Sequence, residues 1–250
     1  MLGNPFEVLL ADTPEAKRIH FNLRYQVYCE ETGFEDLSQF PDKMEMDAYD
    51  DHSAHFIVRD IESGEWVAAM RLVLQGNVSK KLPVFDHCVV DEKYQASCEE
   101  KTLEISRLCI LKNYRGARAR TVVDFPHKSG RPKDGVASTD VRKSEAKREC
   151  IIMLSLVKAA SIYGLKHNFK FGVALMSAPL ARILRMSGFD INVIGPFTEF
   201  RGKRRPYLFN VGAVAQDMLS RQFLNSVALD SAQQLAGTES VTKAESKLSA

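Results

Sequence analysis

The 250-residue chain has few cysteines, and their placement excludes two common uses of this residue. The five are Cys29, Cys88, Cys98, Cys109 and Cys150. Their number is odd and no CxxC pair occurs, so the sequence indicates neither a disulfide framework nor a zinc site. Buried free thiols are typical of a reducing compartment, and we therefore expect a cytoplasmic protein.

Long apolar runs are missing as well. No run approaches the roughly 20 residues that a membrane-spanning helix needs, and the first twenty residues contain no basic stretch followed by an apolar one. We therefore expect no signal peptide and no transmembrane segment. The formal net charge of +2 is too small to indicate nucleic-acid binding, so we expect no nucleic-acid partner.

Common cofactor and hydrolase motifs are also absent, since the chain contains no GxGxxG, P-loop, HExxH or GxSxG sequence. Among the six histidines only His52 and His55 lie close together. With Asp50 and Asp51 they could bind a metal ion, but the pair lacks a helical context and an obvious third ligand. We expect no bound metal and no bound cofactor.

Strand-like and helix-like segments alternate along the chain. A strand at 6–11 is followed by a helix that Thr13 caps and Gly33 ends, a long acidic loop at 35–54, a β-hairpin around IESG and a strand at 102–110. A helix with Ser144 as its candidate cap comes next, and a strand, a short helix and two strands follow it. This order predicts one α/β domain with a mixed sheet over residues 1–215, then a C-terminal helix and a disordered tail at 216–250.

The segment at 112–148 differs from the rest of the chain. It contains eleven Lys or Arg residues against four Asp or Glu residues and shows no periodicity. We interpret it as a basic loop insertion within the domain.

Charged residues occupy positions where strands usually carry apolar ones. Arg71 lies inside VAAMRLVL, and Glu104 and Arg107 lie inside TLEISRLCI. An unpaired buried charge is costly, and the acidic loop supplies partners in Glu45, Asp47, Asp50 and Asp51. The resulting network either orders the loop only or forms a polar cleft in which one carboxylate takes a proton from a substrate.

The spacing of Glu104 and Arg107 determines which faces of the strand their side chains point to. Residues an odd number apart point to opposite faces of a regular strand. Both side chains therefore reach one cleft only if the strand is bulged.

Four pieces of the sequence, RYQVYCEETGF, EMDAYDDHSAHFIV, VAAMRLVL and LEISRLCI, resemble the signature of the acyl-homoserine-lactone (autoinducer) synthase family. The order and rough spacing agree over residues 6–212. The residues that match the family pattern are Arg24, Val27, Tyr28, Glu45, Asp47, Tyr49, Asp50, Arg71, Glu104 and Arg107. The resemblance implies a GNAT-like acyl-CoA N-acyltransferase fold, with a mixed, mostly antiparallel central sheet whose fourth strand is bulged at the acyl-donor cleft.

Two features depart from the autoinducer synthases. The family's Trp after the first helix is absent and Phe34 is the nearest aromatic residue, and the basic insertion is unusual. The chain is more similar to the related N-acyl amino acid synthases, and especially to the acyltransferases associated with PEP-CTERM/exosortase systems.

The segment LKNYRGARARTV lies where GNAT enzymes carry their coenzyme A pyrophosphate loop. Arg118 and Arg120 stand where the family has small residues, and large side chains hinder close approach of phosphate to the backbone. This departure disfavours acetyl-CoA and is compatible with an acyl carrier protein. Such carriers are acidic, so basic residues are candidates for docking, although solvated basic loops explain them equally well. The candidates are Arg115, Arg118, Arg120, Arg201, Lys203 and Arg204.

The resemblance implies an N-acyltransferase that moves a fatty acyl group from acyl carrier protein or acyl-CoA, as co-substrate, to the amine of an amino acid or related metabolite. Glu104 is the candidate general base and Arg107 its catalytic companion. The candidate substrate-binding residues, which either bind the substrate or hold one another, are Arg24, Phe34, Asp47, Asp50 and Arg71.

Alternatives remain for the function and for single residues. The chain could be an acyl-homoserine-lactone synthase, an acetyl-CoA-dependent GNAT enzyme or a non-catalytic ligand-binding or carrier-docking domain. Cys109 could carry a thioacyl intermediate, although none is required. Core packing and an acyl tunnel explain Ile151, Leu154, Val173 and Leu175 equally well.

Overall fold

A mixed β-sheet forms the centre of the protein. The structure is a computed structural model that describes residues 4–76, 81–99, 101–115, 139–220 and 230–231. Its strands are β1 (Phe6–Leu10), β2 (Ser53–Asp60), β3 (Trp66–Leu74), β4 (Thr102–Ile110), β5 (Phe171–Met176), β6 (Asn192–Val193), β7 (Thr198–Glu199), β8 (Lys203–Asn210) and β9 (Asp230–Ser231).

The strand order in the sheet is β6–β8–β5–β4–β3–β2–β1–β9, and β7 pairs with β8. The pairs β4–β5 and β1–β9 are parallel, and the other pairs are antiparallel. Helices flank the sheet. They are α1 (Pro14–Tyr25), α2 (Glu92–Glu99), α3 (Thr139–Lys166), α4 (Ala178–Met186) and α5 (Val211–Ser220). The predicted GNAT-like α/β fold with a mixed, mostly antiparallel sheet is confirmed.

Helix α1 begins as its sequence predicts. The Oγ1 atom of Thr13 accepts a hydrogen bond from the Ala16 N–H at 3.2 Å, and Pro14 occupies the first position, where a missing N–H costs nothing. The helix then continues as a π-helix over Gln26–Glu31, just before Gly33, which has a φ of +64°. A π-helix inside an α-helix is frequently found at a functional site.

Each face of the sheet packs against different elements. Helices α3, α4 and α5 cover one face, where Met70, Leu72 and Leu103 are buried. Helix α1 covers part of the other face, against Ile57, Ala69 and Cys109. Apolar residues on both sides of β2 and β3 explain why their sequences read as nearly continuous hydrophobic runs.

Several boundaries differ from the expected ones. Helix α3 begins at Thr139, five residues before Ser144, because the polar first turns carry no apolar pattern that would reveal them. Residues 139–148 are therefore helical and do not belong to a loop. Helix α2 lies in a segment whose periodicity is too weak to predict it.

Other predictions lie outside the described residues. This applies to Arg118, Arg120 and most of the basic insertion, and to most of the tail after Ser220. Over the part of the chain that the structure describes, no helix has the length and apolar content to span a membrane.

Candidate active site

Strand β4 is bulged at Arg107, as the spacing of Glu104 and Arg107 demanded. Ala69 on β3 pairs with Cys109 and Arg71 pairs with Ser106, so two residues of β4 oppose one residue of β3. Arg107 has a φ of +50°, which lies in the left-handed region that few non-glycine residues adopt. The bulge turns the Arg107 side chain to the face of the sheet on which Glu104 and Ser106 lie.

Arg24 forms the buried end of an ion-pair network on this face. Its Nε donates to Glu45, and its Nη1 donates to Asp50 Oδ1 at 2.6 Å. The Arg24 side chain has no exposed surface, and that of Asp50 is 3% exposed. Burial alone would raise the pKa of Asp50, but Arg24 and Arg71 outweigh this effect and hold the pKa below its usual range.

Arg71 forms the middle of the network. Its Nη1 donates to Asp47 Oδ1 at 2.5 Å and to Asp50 Oδ1 at 3.1 Å, and its Nε donates to Ser106 Oγ at 3.1 Å. One guanidinium thus ties the acidic loop to both β3 and β4. This contact explains how a buried arginine is tolerated within a strand.

Arg107 and Asp47 form the end of the network that reaches solvent. Arg107 donates from Nη2 to Asp47 Oδ2 at 2.9 Å and from Nε to Glu45 Oε1 at 3.1 Å. The Arg107 side chain is 14% exposed and that of Asp47 is 27% exposed. Three arginines therefore face three carboxylates, and the network is neutral and open at one end.

Glu104 lies beside the network and is nearly buried. Its Oε2 accepts a hydrogen bond from the Val84 N–H at 2.7 Å. Burial raises the pKa of Glu104 to about 7, although the Val84 N–H, Arg71 and Arg107 all act to lower it. A carboxyl group with this pKa can accept a proton near neutral pH.

The sheet opens next to Glu104. Parallel strands β4 and β5 pair only from Thr102 opposite Phe171 to Glu104 opposite Val173, while β5 continues to Met176 along β8. The bulged half of β4 is half-buried. The two strands therefore diverge at Glu104 and leave a cleft between them.

Aromatic residues line one side of this cleft. The Tyr28 hydroxyl donates to the Leu108 carbonyl at 3.1 Å, so the π-helix is fixed to the bulge. The Phe34 ring lies 6.4 Å from that of Tyr28. Of the four tunnel candidates, Val173 and Leu175 pack on the Glu104 side, whereas Ile151 and Leu154 pack on the opposite face of the sheet.

The candidate docking residues within the described chain differ in their availability. Arg115 is buried and paired with Glu31, so it is not the exposed docking residue that the sequence suggested. Arg201 pairs with Glu35 and lies over the Tyr28 ring.

Residues 201–205 (RGKRR), in the turn before β8 and at its start, differ in whether they can contact a partner protein. Arg204 donates to the Leu175 carbonyl at 3.5 Å, beside the cleft, whereas Lys203 is exposed. Arg201 and Arg204 therefore have partners within the protein, and Lys203 is the docking candidate on the surface.

Two alternatives for single residues find little support in the geometry. Cys109 is 4% exposed, and burial raises the pKa of its thiol to about 12, which suppresses the nucleophilic thiolate. His55 is buried with Nε2 3.1 Å from the Asp50 carbonyl oxygen, while His52 is exposed. Within the described residues, no three His, Cys, Asp or Glu side chains are grouped so as to hold a metal ion.

Two residues at or behind the site were not predicted from the sequence. Val84 acts through its backbone N–H, which no residue type reveals. His20 packs on His55 at a ring distance of 4.6 Å behind Asp50, and burial lowers the pKa of His55 to about 4. The only sequence feature that could have revealed His20 is its position on the apolar face of α1.

Comparison with known proteins agrees with this architecture. Residues 23–123 match the family model described as an acetyltransferase (GNAT) domain. That span contains the ion-pair network and Glu104. No curated protein sequence matches the chain significantly.

Solved structures share the fold at low sequence identity. BjaI, a CoA-dependent acyl-homoserine lactone synthase with SAM and isopentyl-CoA bound, is 18% identical with a TM-score of 0.56, over 96% of this chain and 98% of that one. The acyl-homoserine-lactone synthase LasI is 16% identical with a TM-score of 0.53, over 91% and 99%.

FeeM, an N-acyl amino acid synthase from uncultured soil microbes, is 10% identical with a TM-score of 0.49, over 87% of this chain and 99% of that one. The domain match and the fold together support an acyltransferase.

Proposed function

We propose that the protein is an N-acyltransferase that moves a fatty acyl group from a thioester to the amine of an amino acid or related metabolite. The observation that carries the proposal is the position of Glu104. Its carboxyl group has a pKa near neutrality and lies where β4 and β5 diverge. A base at a cleft between two strands can accept a proton from an amine that attacks a thioester bound in that cleft.

The acceptor binds at the open end of the ion-pair network. Arg107 and Asp47 are its solvent-accessible members, so an amino acid can place its carboxylate against Arg107 and its ammonium group against Asp47. Arg24, Arg71 and Asp50 are buried, and Asp50 pairs with both arginines. They hold the two contact residues in place, and Phe34 closes the entrance.

The chemistry needs one proton transfer to the protein and no covalent intermediate. Ionised Glu104 takes a proton from the acceptor's ammonium group, directly or through a water molecule. The free amine then attacks the thioester carbonyl and the C–N bond forms. The C–S bond breaks, and the departing thiolate takes up the second proton that the nitrogen loses, which gives the amide and the free thiol. Backbone N–H groups at the bulge are suited to stabilise the oxyanion that develops during this attack.

The donor is an acyl carrier protein. The support is the sequence of the basic insertion, in which Arg118 and Arg120 replace the small residues of a pyrophosphate loop, together with exposed Lys203 beside the cleft. The five free cysteines support a cytoplasmic setting. An association with a PEP-CTERM/exosortase system rests on sequence resemblance.

Product analysis with a single substitution tests the proposal. Wild-type protein incubated with acyl-acyl carrier protein and an amino-acid mixture should yield an N-acyl amino acid, detected by mass spectrometry. Glu104→Gln should lower kcat/KM by about 10²-fold or more, and wild-type kcat/KM should rise with pH until it levels off above about 7.

Glu62→Gln, in the exposed β2–β3 turn, is the matched control and should retain activity. Full activity of Glu104→Gln would refute the assignment of the base. Absence of any N-acyl product with the wild type would refute the function.

The ordered match to the autoinducer-synthase signature favours one second candidate, an acyl-homoserine-lactone synthase. The same assay separates the two when S-adenosylmethionine is the acceptor. A lactone product would favour the second candidate, and its absence beside an N-acyl amino acid favours the first.

A further inference from the structure

A segment of the chain at residues 82–91, which we call the covering segment, crosses over Glu104. Leu82 and Val84 are buried against Val73 and Val173, on the side of the sheet that carries Glu104. The Val84 N–H donates to Glu104 Oε2 at 2.7 Å. This segment therefore supplies a main-chain hydrogen bond to the Glu104 carboxylate.

The Val84 N–H is available because of the local sequence. Residues Pro83–Asp86 form a 3₁₀ helix with Pro83 at its first position. Proline has no N–H, and the N–H groups of a first helical turn have no partner within the helix. The Val84 N–H is thus left free to bind Glu104.

Contacts at the far end of the covering segment fix it to strands β6–β8. The Asp91 N–H donates to the Ile194 carbonyl at 2.8 Å, and Thr198 Oγ1 donates to the His87 carbonyl at 2.7 Å. The His87 ring also stacks on the Phe200 ring, with centroids 3.9 Å apart and planes inclined by 20°. Both main-chain and side-chain contacts therefore join the two parts.

Gly195 allows the closest of these approaches. A Cβ atom on residue 195 would lie 2.1 Å from the Val89 carbonyl oxygen and 3.0 Å from Pro206. The first of these neighbours is backbone, so it cannot rotate away as a flexible side chain would. The covering segment can lie this close to β6–β8 only because residue 195 has no side chain.

We propose that the contact of the covering segment with Gly195 and Phe200 is a positioning device that holds the Val84 N–H on the Glu104 carboxylate. Gly195, His87 and Phe200 are then positioning residues, which act on the reaction through Val84. The claim that this contact sets the protonation state of the catalytic base rests on the proposed function. The effect on the Glu104 carboxyl group itself is independent of that function.

The hydrogen bond has a defined effect on the charge of Glu104. It favours the ionised form, and the pKa of Glu104 would rise above about 7 without it. The two variants leave the other ionisable groups near Glu104 unsubstituted. These groups are Arg71 on β3, Arg107 on β4, Asp47 and Tyr49 in the acidic loop, and Cys88 in the covering segment.

Two variants of the full-length protein test the device, Gly195→Ala and Phe200→Leu. Gly195→Ala adds the clashing Cβ atom, and Phe200→Leu removes the stacking partner of His87. The matched control is Gly76→Ala, because Gly76 is exposed and an added Cβ there has no atom within 4 Å. The primary measurement is a ¹³C NMR titration of the Glu104 carboxyl group without substrate, assigned with Glu104→Gln.

We expect the titration midpoint to move to higher pH by about one unit in both variants and to stay unchanged in the control. The acid limb of kcat/KM should move with it. The rate at pH 6 would then fall about tenfold, while the rate at pH 9 remains that of the wild type.

An unchanged midpoint in both variants would overturn the proposal, and so would an equal loss of rate at all pH values, which indicates general damage. The two proposals fail in different ways. If Glu104→Gln keeps full activity while the midpoint still moves, the function of Glu104 is wrong but the positioning device is established.

Discussion

Three guanidinium groups and three carboxylates share one network, but their side chains differ in solvent exposure. Arg24, Arg71 and Asp50 are buried, whereas Asp47 and Arg107 are partly exposed. Removing one partner of a buried ion pair leaves an uncompensated charge and is strongly destabilising. The same change at a partly exposed member costs less, and Arg71 keeps Asp50 as a partner when Asp47 is changed. Stability and substrate binding can therefore be separated at single residues.

Substitution of the two aspartates should make this separation visible. We expect Asp50→Asn to lower the free energy of unfolding by about 3 kcal/mol, because Arg24 and Arg71 both lose a charged acceptor. Asp47→Asn should cost about 1 kcal/mol or less and should mainly raise the KM of the amine acceptor. Urea unfolding and steady-state kinetics measure the two effects. Equal losses of stability would contradict the graded burial of the network.

Glu104 should make the stability of the protein depend on pH. Burial raises its pKa from 4.5 to about 7, so the folded state binds a proton that the unfolded state has released. The stabilisation is fully present below pH 4.5 and is lost as the pH rises to about 7, by an amount on the order of 3 kcal/mol. Above that pH this contribution is constant.

Comparison of Glu104→Gln with the wild type isolates this contribution. The difference in free energy of unfolding between the variant and the wild type should grow in favour of the variant between pH 5 and 7 and then level off. Urea unfolding at pH 5, 6, 7 and 8 measures it. Parallel pH profiles for the two proteins would show that the Glu104 carboxyl group titrates normally in the folded state.

At the scale of elements, strand β4 shows what could be predicted from the sequence. Glu104 and Arg107 are three residues apart, and the parity of that spacing demanded a bulge if both serve one cleft. The structure has this bulge. Arg71 and the acidic loop were paired correctly because buried arginines need partners. These inferences depend on charge and strand geometry, and both can be read from the residues.

Other parts of the site left no such signal. Val84 binds Glu104 through a backbone N–H, which every residue except proline possesses. Arg115 points inward to Glu31, although its neighbours in the sequence suggested an exposed basic loop. The weak periodicity around α2 gave no basis for predicting that helix. The missed features depend on tertiary contacts rather than on residue type.

Strand β5 carries a glycine in the part that pairs with β4. Gly172 pairs with Phe209 on β8, and the Phe209 ring covers its backbone so closely that an added Cβ would lie 2.1 Å from a ring carbon. We expect Gly172→Ala to lower the free energy of unfolding by about 1–3 kcal/mol through overpacking. Thermal or urea unfolding measures this cost.

The double variant Gly172→Ala/Phe209→Leu tests the cause, because the smaller side chain makes room for the methyl group. It should be more stable than the sum of the two single effects implies. Gly76→Ala is again a control, since it has open space. Strict additivity of the two substitutions would show that the ring contact is not the reason for glycine at this position.

At the scale of the whole molecule, charge is unevenly distributed. The chain has a formal net charge of +2, yet its basic residues concentrate in the insertion and at residues 201–205, which form the turn before β8 and the start of that strand. Lys203, the first residue of β8, is exposed, and its neighbours Arg201 and Arg204 contact the Tyr28 ring and the Leu175 carbonyl. An acidic carrier protein that docks here would bring its thioester to the point where β4 and β5 diverge.

Charge reversal at Lys203 distinguishes a carrier-bound donor from acyl-CoA. With acyl-acyl carrier protein, Lys203→Glu should raise KM by about tenfold at low salt and by less at high salt, because the interaction is between surface charges. With acyl-CoA of the same chain length, the effect should be smaller.

Lys166→Glu is the matched control, since Lys166 is exposed at the end of α3 and precedes the opposite end of β5. If both reversals raise KM equally, the effect comes from net charge and not from a docking surface. If neither changes KM for the carrier-bound donor, docking does not occur at this turn.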